Sequence, residues 1–98
     1  MDRLMIRYKV KRDQVERNLE LLRVVYEELE STQPDGLRWA TFQLENEVSF
    51  VDFVEVEDGP GPFQQLPAFQ RFRGTRDERC DGPPVVTELH EVGSFRFS

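Results

Sequence analysis

The chain has 98 residues, 38% of them hydrophobic and 33% charged, with a formal net charge of −6. That length suits a single domain spanning residues 1–98, with a thin two-layer core that buries about 65% of the unfolded surface. The acidic balance argues against a surface built to follow a phosphate backbone or an anionic bilayer, so neither nucleic acid nor a membrane is an expected partner.

From Leu4 to Val10 the pattern is that of a half-buried strand. Ile6, Tyr8 and Val10 share one side, and Arg7 and Lys9 take the other. Asp13, with Glu16 three residues on, reads as the N-cap of a helix of about five turns. Its apolar stripe is Val15, Leu19, Leu22, Tyr26 and Leu29, widened by Val25. Leu21 and Val24 fall away from the stripe and hint at a second contact. Pro34-Asp35-Gly36 ends the helix.

Residues 37–44 and 48–56 read as a hairpin turning at Glu45-Asn46-Glu47, with a left-handed backbone expected at Asn46. A two-residue loop at Asn46-Glu47 sets Arg38 opposite Glu55 and Thr41 opposite Asp52. A three-residue loop would shift that register. Asp58-Gly-Pro-Gly-Pro62 is a loop. Leu66 to Cys80 is expected to be a second helix, with Pro67 in its first turn, Gly74 weakening its middle, and Leu66, Phe69, Phe72 and Cys80 inward. Val85 to Val92 is a last strand, followed by a tail carrying Phe95 and Phe97.

The order β-α-β-β-α-β predicts an α+β fold of the ferredoxin-like kind: an antiparallel sheet with both helices on one face. The hairpin is apolar on both faces. Leu37, Trp39, Thr41, Phe50, Asp52, Val54 and Val56 share one, while Ala40, Phe42, Leu44, Val51 and Phe53 share the other. Two helices cover only one face, and the second would leave an apolar patch of a few hundred Å² in water. A homodimer closed through Phe42, Val51 and Phe53 removes that patch. The plain alternative is a monomer whose Phe95–Phe97 tail folds over it.

Several stretches carry a family resemblance over nearly the whole chain. They are Asp35-Gly-Leu-Arg-Trp-Ala-Thr-Phe42, Val48-Ser-Phe-Val51, Leu66-Pro-Ala-Phe69 and Pro83-Pro-Val-Val-Thr-Glu-Leu-His-Glu-Val92. With the element order and the two-sided sheet, they resemble the antibiotic-biosynthesis-monooxygenase-like domains of the dimeric α/β-barrel superfamily. The resemblance implies a homodimer whose two sheets form a barrel. It also implies an activity such as the cofactor-free oxidation of a small aromatic, quinol-type compound; some members degrade haem. The family's trio of Asn, Trp and His is not matched. The first strand has Arg7-Tyr8-Lys9 and no Asn, Trp39 lies on the second strand, and His90 lies on the last.

Among the residues able to do chemistry, Asp52 and His90 are the catalytic candidates. His90 alone has an unperturbed pKa near neutrality and is a base or a surface residue. Asp52 with Trp39, Thr41 and Phe50 reads either as the lining of a cleft for a flat ligand or as a core edge in which Asp52 bonds Thr41. Aromatic walls around a carboxylate would raise its pKa and suit a general base. No metal site is expected, because there is one histidine and carboxylates alone make a weak case. No cofactor is expected either. Cys80 is the only cysteine, so no internal disulfide can form; with no apolar leader after Met1, a reducing, cytoplasmic setting is expected. Its thiol reads as a buried group. Gly59-Pro-Gly61 lacks phosphate-loop spacing and reads as a connector. Arg71, Arg73, Arg76 and Arg79 read as a solvated basic face, or as a greeting for an anion at the cleft mouth. A non-catalytic binding or assembly module on the same scaffold is the competing function.

Overall fold

Alternating side chains and a central capped helix produce the expected ferredoxin-like architecture in the computed structural model, which describes residues 2–57 and 66–97. Strand β1 (Asp2–Lys9) leads through a 3-10 turn at Arg12–Gln14 into helix α1 (Val15–Thr32). The hairpin β2 (Leu37–Gln43) and β3 (Ser49–Val56) follows, then helices α2 (Pro67–Gly74) and α3 (Arg76–Arg79) and strand β4 (Val85–Glu88). The strands order as β2-β3-β1-β4, every neighbour antiparallel. The loop expected at Asp58–Pro62, with its Gly59-Pro-Gly61 connector, lies outside the described residues. No helix among the described residues is long and apolar enough to cross a membrane.

The core lies between the sheet and the helices. Tyr8, Val10 and Phe50 from the sheet meet Leu21, Leu22 and Val25 of α1, with Ala68, Phe72 and Cys80 closing the far side. Tyr8 stacks on Phe50 at 5.4 Å and meets Phe72 edge-on at 6.3 Å. Such pairs add about 0.5–1.5 kcal/mol beyond their buried area.

The buried face of α1 differs from the expected stripe. Asn18, Leu21, Leu22 and Val25 are the buried residues, while Val15, Leu19, Tyr26 and Leu29 pack beside them partly exposed. The cause is that α1 is covered by α2 and α3 as well as by the sheet, so the second contact hinted at by Leu21 belongs to the core. Asp13 makes no capping bond: a turn closed by Gln14 N–H to the Lys11 carbonyl occupies that position, and the helix begins at Val15. At the other end Gln33 takes a left-handed conformation and its N–H bonds the Leu29 carbonyl.

In the hairpin, Arg38 lies opposite Glu55 and Thr41 opposite Asp52, as expected. The turn is longer. Leu44 N–H bonds the Ser49 carbonyl, and Glu47 N–H bonds the Leu44 carbonyl. Adding one residue to each side of the expected two-residue loop leaves the register unchanged. The left-handed residue is Glu47, at φ 69, and not Asn46. Asn46 is occupied otherwise: its Oδ1 accepts from the N–H groups of Val48 and Ser49, which holds the turn as an Asx motif.

The expected helix from Leu66 to Cys80 breaks at Thr75 into α2 and α3, next to the weak Gly74. Glu28 on α1 accepts from the Ala68 N–H at the start of α2 and ties the two helices together. Strand β4 ends at Glu88, short of Val92, because beyond the Leu89 N–H bond to the Arg3 carbonyl little of β1 remains to pair with.

Candidate functional site

Register decides which side chains meet. On the helix-facing side, one cross-strand row runs Thr41, Asp52, Ile6, Val86, and the next runs Trp39, Val54, Leu4, Glu88. Helix α2 lies over these rows and sets Phe69 edge-on to Trp39 at 5.5 Å. Between sheet and helices is a cavity of about 540 Å³, bordered by Asp52, Trp39 and Tyr8 on one side and by Phe69, Phe72, Arg73 and Arg76 on the other. That volume lies within the range of small-molecule sites.

Asp52 is 4% exposed. Its Oδ1 accepts a hydrogen bond from the Thr41 hydroxyl at 2.6 Å, and Thr41 Oγ1 lies 2.6 Å from the Tyr26 hydroxyl. Thr41 has one hydroxyl proton and gives it to Asp52, so Tyr26 donates to Thr41. The chain Tyr26–Thr41–Asp52 thus points its protons towards the carboxylate. Burial raises the Asp52 pKa from 3.8 to about 6, against the opposing pull of hydrogen bonds from Thr41 and Trp39. Burial also lifts Tyr26 to about 12, helped by the Asp52 charge and opposed by the Thr41 bond. Tyr8 is pushed above the ordinary tyrosine range by burial and by the Asp52 charge. Asp52 is therefore a carboxyl displaced towards neutrality, and both phenols stay protonated beside it.

The sequence candidates separate in space. Trp39 and Asp52 border the cavity, and Thr41 holds the carboxylate from the side. Phe50, 1% exposed and stacked on Tyr8, is in the core behind the cavity. His90 is exposed and follows β4. It borders a separate hollow on the outer side with Arg3, Arg38, Phe53 and Phe97, away from the Asp52 cavity. Among the described residues, no group of three or more His, Cys, Asp or Glu is placed to hold a metal ion.

Two features were missed in the sequence. The arginines from Arg71 to Arg79 read as a solvated face or as a greeting for an anion at the cleft mouth, and Arg73 and Arg76 do border the cavity. Tyr26 read only as part of the helix stripe. Arg79 fits neither reading, as it is 2% exposed. Its Nε bonds Asn18 Oδ1 at 3.1 Å, Nη2 bonds the Phe72 carbonyl at 2.8 Å, and Nη1 bonds Thr75 Oγ1. The guanidinium lies 4.8 Å over the Phe72 ring. Asn18 Nδ2 then donates to the Tyr8 hydroxyl at 3.2 Å. This network fixes the floor of the cavity by holding Tyr8 and Phe72. Asn18 could have been found from its place four residues before Leu22 and seven before Val25, an amide set in an apolar face. The Cys80 thiol is buried beside it, and burial pushes its pKa up, which suits a packing role.

The outer side of the sheet is apolar and open. Phe42 and Phe53 are 51% and 40% exposed and meet edge-on at 5.9 Å. The tail does not bury itself there, since Phe95 and Phe97 are both 82% exposed.

No protein-family model matches the sequence, and no curated protein does. Solved structures share the fold. A crystal structure of an antibiotic biosynthesis monooxygenase superposes with a TM-score of 0.71 at 17% identity, covering 95% of this chain and 100% of its own. A conserved protein from Methanosarcina mazei Go1 gives 0.72 at 20% identity, covering 92% and 91%. A protein from Pseudomonas aeruginosa gives 0.75 at 14% identity, covering 94% of each chain. At these identities the likeness is one of fold, the ferredoxin-like fold seen in antibiotic biosynthesis monooxygenases.

Proposed function

We propose that this chain is a monooxygenase-like enzyme that oxidises a small aromatic, quinol-type compound in the cleft between sheet and helices, with Asp52 as general base. One observation carries the reading: a buried carboxylate, desolvated and oriented by Thr41, faces a cavity walled by Trp39, Phe69 and Phe72. A base with a pKa of about 6 is largely ionised at neutral pH yet keeps more proton affinity than an ordinary aspartate. Asp52 takes the proton of a ring hydroxyl. The electron-rich phenolate then reacts with dissolved dioxygen, which is the oxidant. One oxygen atom enters the ring, the substrate gives up two hydrogens, and the second oxygen leaves as water. The chain's residues orient the ring, exclude water and move the proton. The fold shared with antibiotic biosynthesis monooxygenases supports the class, and His90 has no part in this scheme.

A panel of quinols incubated with the protein tests it. Products one oxygen heavier and two hydrogens lighter are expected with the unaltered chain and are lost with Asp52→Asn. Equal turnover by Asp52→Asn refutes the role of Asp52.

The working unit proposed is a homodimer joined through Phe42, Val51 and Phe53. Supporting it are the exposed, mutually packed rings of Phe42 and Phe53 and a tail that leaves them uncovered. A second copy meeting this face supplies apolar cover without closing the Asp52 cavity, which lies on the opposite side of the sheet.

A further inference from the structure

The proposed chemistry uses the sheet wall of the cavity and leaves the helical wall unexplained. That wall is basic. Arg73, near the end of α2, and Arg76, opening α3, both border the cavity. Arg76 is half-buried, and its Nε is shut off from solvent with no hydrogen-bond partner among the described residues. Leaving such a donor unmet costs about 1–3 kcal/mol. Arg79, three residues on, is the internal contrast, because all three of its nitrogens find acceptors within the chain. Arg3, Arg23 and Arg38 are paired with carboxylates, and none of the ion pairs among the described residues involves Arg73 or Arg76. An arginine with an unmet, buried donor at the edge of an aromatic cavity fits a planar anion, since its fork matches a carboxylate.

We propose that the cavity takes a small aromatic acid, a hydroxyarene carboxylate, with its carboxylate held by Arg76 and Arg73 and its ring hydroxyl facing Asp52. Charge fixes this orientation. Asp52 on the sheet repels a second anion, and the two guanidinium groups on the helical side attract one. The ring lies among Trp39, Phe69 and Phe72, which border the same cavity. The inference rests on reading the cavity as the substrate site and adds the substrate's charge.

Binding tests it without turnover. Trp39 is the only tryptophan, so its fluorescence reports the cavity during titration with hydroxynaphthoate and, separately, with uncharged naphthol. Hydroxynaphthoate is expected to bind about tenfold or more tightly than naphthol, the range of a charge-assisted bond. Arg76→Gln cuts that preference severalfold by weakening hydroxynaphthoate far more than naphthol, with Arg73 left to hold the remainder, and Arg76→Lys restores part of it. Added salt weakens hydroxynaphthoate but not naphthol in the unaltered chain, a check that needs no variant to fold. Equal affinity for the two probes, binding of neither, or equal loss of both in Arg76→Gln overturns the proposal. The base reading fails separately: an Asp52→Asn protein that still oxidises quinols undoes it and leaves the charge preference standing.

Discussion

Asp52 destabilises the fold it belongs to at neutral pH, and Asp52→Asn exposes that cost. Moving the carboxyl pKa from 3.8 to about 6 by burial is worth about 3 kcal/mol at 1.36 kcal/mol per pH unit. The sign follows from proton binding. Between these two values the folded chain holds the Asp52 proton more tightly than the unfolded chain. The resulting stability is fully present below about pH 4, falls as pH rises through 6, and is gone above about pH 7. Asparagine keeps an acceptor for Thr41 and does not titrate. Urea unfolding of both proteins, at one fixed protomer concentration, should show Asp52→Asn gaining on the unaltered chain by about 2–3 kcal/mol between pH 4 and pH 8. Any constant offset from the changed hydrogen bond cancels in that comparison. Stability curves that run parallel across this range would mean that Asp52 ionises as an ordinary aspartate, and the desolvation argument would be refuted. A charged group kept at such a cost is the expected signature of a functional site rather than of a packing residue.

Other expectations are independent of the cavity's chemistry. Asn18→Ala leaves both the Arg79 Nε and the Tyr8 hydroxyl without their partner, and should lower stability by about 2–4 kcal/mol in urea unfolding; a loss under about 0.5 kcal/mol would mean that water replaces the amide freely. Gly36 has φ 73, and a Cβ there would stand 3.1 Å from Glu57 Oε2, so Gly36→Ala should cost about 1–2 kcal/mol, a strain reading that an unchanged melting point would contradict. Phe53→Lys places a charge in the proposed dimer contact. Sedimentation should show twice the chain mass for the unaltered protein and the single-chain mass for the variant; a monomer in both cases would remove the dimer.

The fold was legible because its signals are local and redundant. Alternation in Ile6–Tyr8–Val10 marked β1, and the pairs Arg38–Glu55 and Thr41–Asp52 marked the hairpin register. That register survived an error about the turn because lengthening a loop evenly on both sides preserves pairing. The meeting of Trp39, Thr41 and Asp52 was readable for the same reason, as it follows from strand parity. What escaped depends on a third dimension. Asn18 and Arg79 are 61 residues apart, and each alone looks like a solvated helix residue. Arg76 and Arg79 are three residues apart on one short helix, and only tertiary packing takes one to the cavity and the other to Asn18 and the Phe72 carbonyl. Tyr26 joined the Asp52 network because α1 crosses β2 at Thr41, a crossing that no pattern within either element specifies.

The pH dependence of kcat/KM for an oxidised quinol tests the central claim most directly, since it reads Asp52 while it works. With Asp52 as the base, the rate should rise with pH through about 6, as the carboxyl ionises. Asp52→Asn should lower it by about 10²–10⁴-fold, the usual contribution of a positioned base, and remove that inflection. A profile flat across pH 5–7, or an Asp52→Asn enzyme with the same inflection, would contradict the account.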